Sequence, residues 1–406
     1  MQWLTTPETA RRLGVKPATI YAYVSRGLLT SHRDPVDRTS RFRAADVETL
    51  ALRGRPREAS RHRSLEIEIE TRITEIDGHA IRFRGHDAFR LARTVTFEQV
   101  AELLWSGELP ATPPAWPTHQ IDIESFIRRG NDTVHDRQRL LAAHAALGSR
   151  DRRDQRSVIA TGRELIATIV DSLPVHGDGR CPRLMLEDGT AVRGSIAGRL
   201  WARLSPRRAT PPLMSALNAA MVLMADHEMA ASTLAARVAA STRAGPHGVV
   251  AAGFGTISGP MHGGESRRCR RLLVNAARTS ARGAVSMSLE LDGRVPGFGQ
   301  VLYPKGDPRA VLLLQMLRDA GPHPALRAVD ELIAATAQRR LPPPNVDLAL
   351  AALGMIGDMP DDAGEAIFVS ARIAGWLAHA MEEYEERPLR FRPRASFIGE
   401  RHAPPE

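Results

Sequence analysis

The chain has 406 residues, 25% of them charged and 5% aromatic, which is enough for two or three domains with sizeable cores. Its formal charge of +9 is almost all arginine, Lys16 and Lys305 being the only lysines. No run of roughly 18 apolar residues and no signal-like opening is present, so membrane-spanning and secreted classes are set aside and a cytoplasmic protein is expected. Cys181 and Cys269 have neither metal-ligand spacing nor the density of a disulfide scaffold, and read as free thiols.

Residues 1–52 form the first unit. TPETARRLGV begins with a Thr-Pro helix start and runs into a glycine turn. KPATIYAYVSRGLL gives a second short helix, with Ile20 and Val24 inward and Gly27 as its stop. DPVDRTSRFRAADVETLAL adds a turn, a strand-like SRFR and a third helix from about Ala44. Helix, tight turn, helix and basic wing make the pattern of a winged helix-turn-helix. Thr19, Tyr23 and Arg26 are then expected to face a DNA groove, with Arg33, Arg38, Arg41 and Arg43 reaching phosphates. The unit resembles the MerR and excisionase type of DNA-binding domain; a helical docking module is the alternative. The linker that follows, residues 53–64, carries RGRPREASRHR, either a nucleic-acid contact or a solvated spacer.

Beyond it, SLEIEIETRITEIDGHAIRFRG alternates apolar and charged residues around Asp77-Gly78, a β-hairpin signal. From Phe89 onward the pattern is helical. Leu213, Leu217, Met221 and Met224 form one apolar stripe, and Ile367, Ala371, Ala374, Ala378 and Met381 another. GFGTISG (253–259) has nearly nucleotide-loop spacing, but no strand precedes it and no acidic ribose partner is evident, so phosphate binding is not its expected role.

Several residues could carry chemistry. MADHEMAAST places His227 in an expected helix interior between two acids. His262 stands between glycines in GPMHGG, where the backbone can approach a ligand closely. Asp347 follows the proline brace of PPPNVDLAL at the head of a helix, where a first-turn acid favoured by the helix dipole is the plain alternative. Arg372 is one turn from both Phe368 and Trp376, a setting that calls for a buried anion. Arg309 and Arg392 sit beside prolines in DPR and FRPR, rigid settings suited to carboxylates.

Together these motifs resemble the citrate synthase family. The resemblance runs from about Leu65 to Gly399, through ITEIDGHAIRFRGHDAFRLA, FEQVAELLWSGELP, ADHEMAASTLAARVAAST, SGPMHGGE, VPGFGQVLYPKGDPR, NVDLAL, ARIAGWLAH and RPRASFIG. It implies a mainly α protein: a two-domain helical body behind a short β-hairpin, with a large domain (65–264 and 362–406) and a small one (265–361), assembled as a homodimer. It also implies condensation of acetyl-CoA, or another short acyl-CoA, with oxaloacetate. Asp347 matches the base that deprotonates the acetyl methyl, and His262 the donor that holds the enol oxygen. His227, Arg309 and Arg372 match oxo-acid ligands, and Arg392 an arginine supplied across the dimer interface. No metal or bound cofactor is implied; the acyl-CoA is a co-substrate.

Gln300 departs from the pattern. The family sequence is Gly-Phe-Gly-His or Gly-Tyr-Gly-His, with the histidine polarising the oxo-acid carbonyl. A glutamine amide can donate a hydrogen bond there but cannot give up a proton. Pro304 also lies where many relatives carry a basic residue. Three readings follow: a citrate or 2-methylcitrate synthase, slow or adapted; a condensing enzyme for another 2-oxo acid; or a DNA-binding sensor whose synthase body does not turn over.

Overall fold

A computed structural model describes residues 3–13, 15–25, 28–34, 39–44, 46–47, 50, 68–121, 133–147, 152–177, 179–395 and 399. It divides into two compact units, Met1–Glu70 and Thr71–Glu406.

The first unit opens with strand Trp3–Thr5, followed by helices Thr6–Leu13 and Pro17–Ser25. Thr5 and Glu8 start the first helix reciprocally: the Glu8 N–H meets Thr5 Oγ1 at 3.4 Å, and the Thr5 N–H donates to Glu8 Oε2 at 2.8 Å. Strands His32–Arg33 and Ser40–Arg43 pair with each other, and the latter also pairs with Trp3–Thr5, placing Leu4 opposite Phe42. Ala10, Leu13, Ile20, Leu29, Phe42 and Val47 make the core. The expected helix–turn–helix and wing are therefore present, and Ala44, Asp46 and Val47 are helical.

In the second unit the hairpin Thr74–Asp77/Ala80–Phe83 turns through Gly78 and His79, with Asp77 opposite Ala80. It begins later than the alternation suggested, since residues 68–70 are not strand. Apart from the two-residue strands His86–Asp87, Leu184–Met185 and Ala191–Val192, the described elements that follow are helices. Their axis is Ala363–Glu385, 23 residues long and buried on nearly every side. Such all-round burial marks a helix at the centre of a bundle rather than on its surface. Helices Phe97–Ser106, Gln155–Asp171, Pro211–Met224, Ala231–Ser241 and Pro246–Ile257 pack against it.

Two glycines permit that packing. A Cβ on Gly253 would meet the Trp376 ring at 2.5 Å, and one on Gly375 would strike the carbonyl of Ala225 and the carboxylate of Asp226. GFGTISG is thus the C-terminal part of helix Pro246–Ile257 and its exit, with Gly253 serving close helix approach rather than a phosphate. The predicted Leu217–Met221–Met224 stripe is fully buried, with Leu213 at its edge. Cys181 and Cys269 are free, as expected.

Candidate active site

A cavity of about 830 Å³ in the Thr71–Glu406 unit is lined by His227, His262, Gln300, Arg309, Asp347 and Arg372, six residues widely separated in sequence. Each is delivered by a different local device.

Asp347 is the second residue of helix Val346–Ile356. The capping task falls to Asn345, whose side-chain oxygen accepts from the Asp347 N–H at 3.0 Å, while Asp307 accepts from the Val346 N–H at 3.1 Å. With the helix end satisfied by its neighbours, the Asp347 carboxylate has no capping role, and its Oδ1 has no hydrogen-bond partner. Burial first, and then the Glu265 carboxylate, push its pKa up to about 7. That is a carboxylate poised to take a proton near neutral pH.

His262 sits in the turn before helix Glu265–Arg278. Its Nε2 lies 2.9 Å from Ser232 Oγ, and its ring meets Phe368 edge-on at 5.6 Å. Burial, with Arg372 adding repulsion, lowers its pKa to about 4. The imidazole is therefore neutral at physiological pH and can act as a hydrogen-bond donor.

His227 corrects the sequence reading. It is not inside a helix: helix Pro211–Met224 ends three residues earlier. The chain leaves the helix because Asp226 is drawn into the core, where Thr74 Oγ1 donates to it at 2.5 Å and His379 lies 3.4 Å away. The Gly375 N–H holds the Ala225 carbonyl at 3.0 Å, and Glu228 takes a φ of 50°. His227 Nε2 then meets the Tyr303 hydroxyl at 2.8 Å. Burial, and next Arg309, hold the ring well below its ordinary pKa.

The two arginines differ. Arg309 is buried and grips Asp307 through Nε at 3.0 Å and Nη2 at 2.8 Å, leaving Nη1 for a ligand. Burial opposes its charge, but Asp307 more than offsets this and raises its pKa. Arg372 is 1% exposed and has no carboxylate within ion-pair distance among the described residues. Its Nε donates to the Met224 carbonyl at 2.7 Å, and its Nη1 has no partner. Burial lowers its pKa to about 10, so it still carries its charge at neutral pH. A buried guanidinium without a carboxylate, lining a cavity, is suited to hold an anion.

Gln300 lies in the link to helix Pro308–Asp319, where Gly297 (φ 80°) and Gly299 (φ 88°) adopt left-handed backbone. At Gly297 a Cβ would also meet Cys269 Sγ at 2.8 Å, so the loop needs glycine there on both counts. The Leu302 N–H donates to Gln300 Oε1 at 3.3 Å, which fixes the amide orientation and leaves the NH₂ as donor.

Sequence reasoning missed the supporting residues. Tyr303 and Ser232 position the two histidines, and Asn345 and Asp307 relieve Asp347 and orient Arg309. Glu265, which accepts from Arg294 Nη1 at 2.6 Å and Nη2 at 2.8 Å, sets the field around Asp347. All but Arg294 and Ser232 stand within three residues of a predicted site residue, yet only the folded contacts separate them from ordinary polar neighbours. Arg392 is exposed and does not line this cavity.

The first unit also requires a correction. In helix Pro17–Ser25 Tyr23 packs on the core beside Ile20, because three residues is nearly one turn; the exposed aromatic is Tyr21, 61% exposed. Thr19 is half-buried. Arg41 lies 3.4 Å from Asp34, and Arg43 stacks on Trp3 at 5.7 Å. Arg26, Arg38 and the 53–63 run lie outside the described residues.

The family model for the citrate synthase C-terminal domain matches residues 66–394. The chain belongs to the citrate synthase family. It is accordingly an acyltransferase of that family, and residues 3–55 match a helix-turn-helix domain. Citrate synthase 2 of Bacillus subtilis is 28% identical over 358 residues, covering 80% of this chain and 92% of its own. The 2-methylcitrate synthase of Shewanella oneidensis is 25% identical, covering 80% and 90%. Citrate synthase from Thermotoga maritima shares the fold at a TM-score of 0.66 and 22% identity, covering 83% of this chain and 95% of that one. The enzyme from Thermoplasma acidophilum, solved with carboxymethyl coenzyme A and oxaloacetate, gives 0.64 at 23% identity, covering 84% and 97%.

Proposed function

We propose that this family member condenses acetyl-CoA or a short acyl-CoA with oxaloacetate, releasing citrate or its homologue and CoA. The observation that carries the reading is the Asp347 carboxylate: freed from capping, with a pKa near 7, and in one cavity with neutral His262 and unpaired Arg372. Asp347 takes the proton from the thioester α-carbon, and an N–H of His262 holds the enol oxygen. With the Ser232 hydroxyl donating to Nε2, that N–H is at Nδ1. Arg309 Nη1 and Arg372 Nη1 bind the oxo-acid carboxylates, while His227, its ring fixed by Tyr303, lies beside them. The enol carbon then attacks the oxo carbon as the Gln300 amide donates a hydrogen bond to the carbonyl oxygen, and the alkoxide so formed takes up, through water, the proton that Asp347 had accepted. Water cleaves the resulting thioester and releases CoA.

The dimer, with Arg392 contributed to the partner's site, and the division of the body at residues 265–361 belong to the same proposal. The helix-turn-helix unit favours a second reading, a DNA-binding sensor of the same ligands, and Gln300 supports it by lacking a transferable proton.

Gln300→His separates the readings. For a weakened citrate synthase, restoring a titratable donor raises turnover with oxaloacetate by about tenfold or more. If Gln300 is matched to another oxo-acid, histidine lowers the native activity. A sensor binds the oxo-acid calorimetrically in both forms and turns over in neither.

A further inference from the structure

A second cavity, about 500 Å³, lies on the other side of the turn that carries His262. The turn divides the two: Met261, His262 and Glu265 line the first cavity, whereas Ser258, Pro260 and Gly264 line the second. Four guanidinium groups, Arg139, Arg267, Arg268 and Arg271, face it against two carboxylates, Asp136 and Glu365. Asp136 is tied to Arg139 at 3.2 Å and Glu365 to Arg267 at 3.2 Å. Arg268 reaches Asp292 at 2.6 Å. Asp362 also lies 4.0 Å from Arg267, so among the four guanidinium groups Arg271 is the one left without a carboxylate among the described residues.

Two donors beside the cavity are also unsatisfied. His135 is 3% exposed, lines the cavity, and has no hydrogen-bond partner at either ring nitrogen. Its nearest carboxylate oxygen, on Glu365, stands 3.6 Å away. Arg267 Nε is likewise buried without a partner. Buried donors are nearly always satisfied in a folded protein, so the two left open beside this cavity, one N–H of His135 and the Arg267 Nε–H, call for an acceptor. The N-terminus of the 14-residue helix Glu265–Arg278 adds to this, for its N-cap, Gly264, supplies no side-chain acceptor and its dipole favours an anion.

We propose that this cavity is a second anion site, built for the pyrophosphate group of a small phosphorylated metabolite. Its volume is within the range of small-molecule pockets and exceeds what a single orthophosphate needs. The arginines offer forked donors for the phosphate oxygens, and His135 offers one N–H at the buried end. A ligand held there rests on the reverse face of the His262 turn without entering the catalytic cavity.

The test is calorimetric titration of the full-length protein with inorganic pyrophosphate, ADP and orthophosphate at physiological ionic strength. Arg139→Ala/Arg271→Ala is the test variant and Arg33→Ala/Arg43→Ala the control. Pyrophosphate or ADP should bind the parent and the control at one matching site, and should bind the test variant at least about tenfold more weakly, the loss of one or two charge-assisted contacts. Tighter ADP than pyrophosphate binding would identify a nucleotide, and equal binding the free pyrophosphate group. His135→Phe should weaken the same site while leaving the melting temperature unlowered, because it removes an unsatisfied polar group. Absence of binding in the parent, or equal affinity in parent and test variant, overturns the proposal.

Discussion

Asp347→Asn should abolish turnover and, above neutral pH, stabilise the fold. The carboxyl's pKa is raised from 3.8 in the unfolded chain to about 7 in the native protein. A raised carboxyl means that the native state holds the proton more tightly. Its contribution to stability is therefore full below about pH 4 and is lost as pH rises from there through 7. At about 1.4 kcal/mol per unit, the raised pKa costs the fold up to about 4 kcal/mol at pH 8 and about 1.6 kcal/mol at pH 5, relative to a side chain that is neutral throughout. Asparagine carries no charge and keeps the shape, so the variant should recover most of that difference. With an unfolding entropy of about 2.1 cal/mol/K per residue, roughly 0.7 kcal/mol/K for the Thr71–Glu406 unit, the gain at pH 8 is about 3–6 °C, shrinking to about 1–2 °C at pH 5. Scanning calorimetry of both proteins at the two pH values measures it, alongside CoA release with a thiol reagent. A variant with activity within a few-fold of the parent, or with a lower melting temperature at pH 8, would show that Asp347 is neither base nor strained and would refute the reasoning.

The remaining expectations follow from the same contacts. Turnover should be low at pH 5.5 and rise through about 7 as Asp347 ionises, with His262 neutral throughout; a rate that fell across this range would contradict the assignment. Arg372→Met removes an unpaired buried charge and one charge-assisted contact, so calorimetric oxo-acid affinity should fall by about 10–100-fold without loss of melting temperature. The helix-turn-helix unit should bind duplex DNA with an affinity that falls steeply with salt, as phosphate contacts demand, while removing residues 1–63 leaves turnover unchanged. Fluorescence anisotropy showing no binding at low salt would leave a docking role for the unit.

Much of the fold was legible because its signals are local. The Asp77-Gly78 turn, the Thr-Pro helix start at Thr6 and the Leu217–Met221–Met224 stripe each rest on residues no more than four apart. The site residues were legible through motif resemblance, and the structure brings His227, His262, Gln300, Arg309, Asp347 and Arg372 to one cavity. What the sequence hid was non-local. His227 read as helical because nothing nearby announces that Asp226 is pulled into the core by Thr74, 152 residues away. Tyr23 read as groove-facing because the core-facing arc of its helix is wider than the Ile20–Val24 pair suggested. The basic cavity beside His135 joins residues more than a hundred positions apart, and no periodicity encodes it.

The most direct measurement is CoA release by the purified full-length protein given oxaloacetate with acetyl-CoA or propionyl-CoA, each also tested alone, with the carbon–carbon product identified by mass spectrometry. The account predicts CoA release that requires both substrates and yields one citrate or methylcitrate per CoA. It predicts none of this in Asp347→Asn. Release from the acyl-CoA alone, or no release from either pair in protein that binds oxaloacetate, would contradict it.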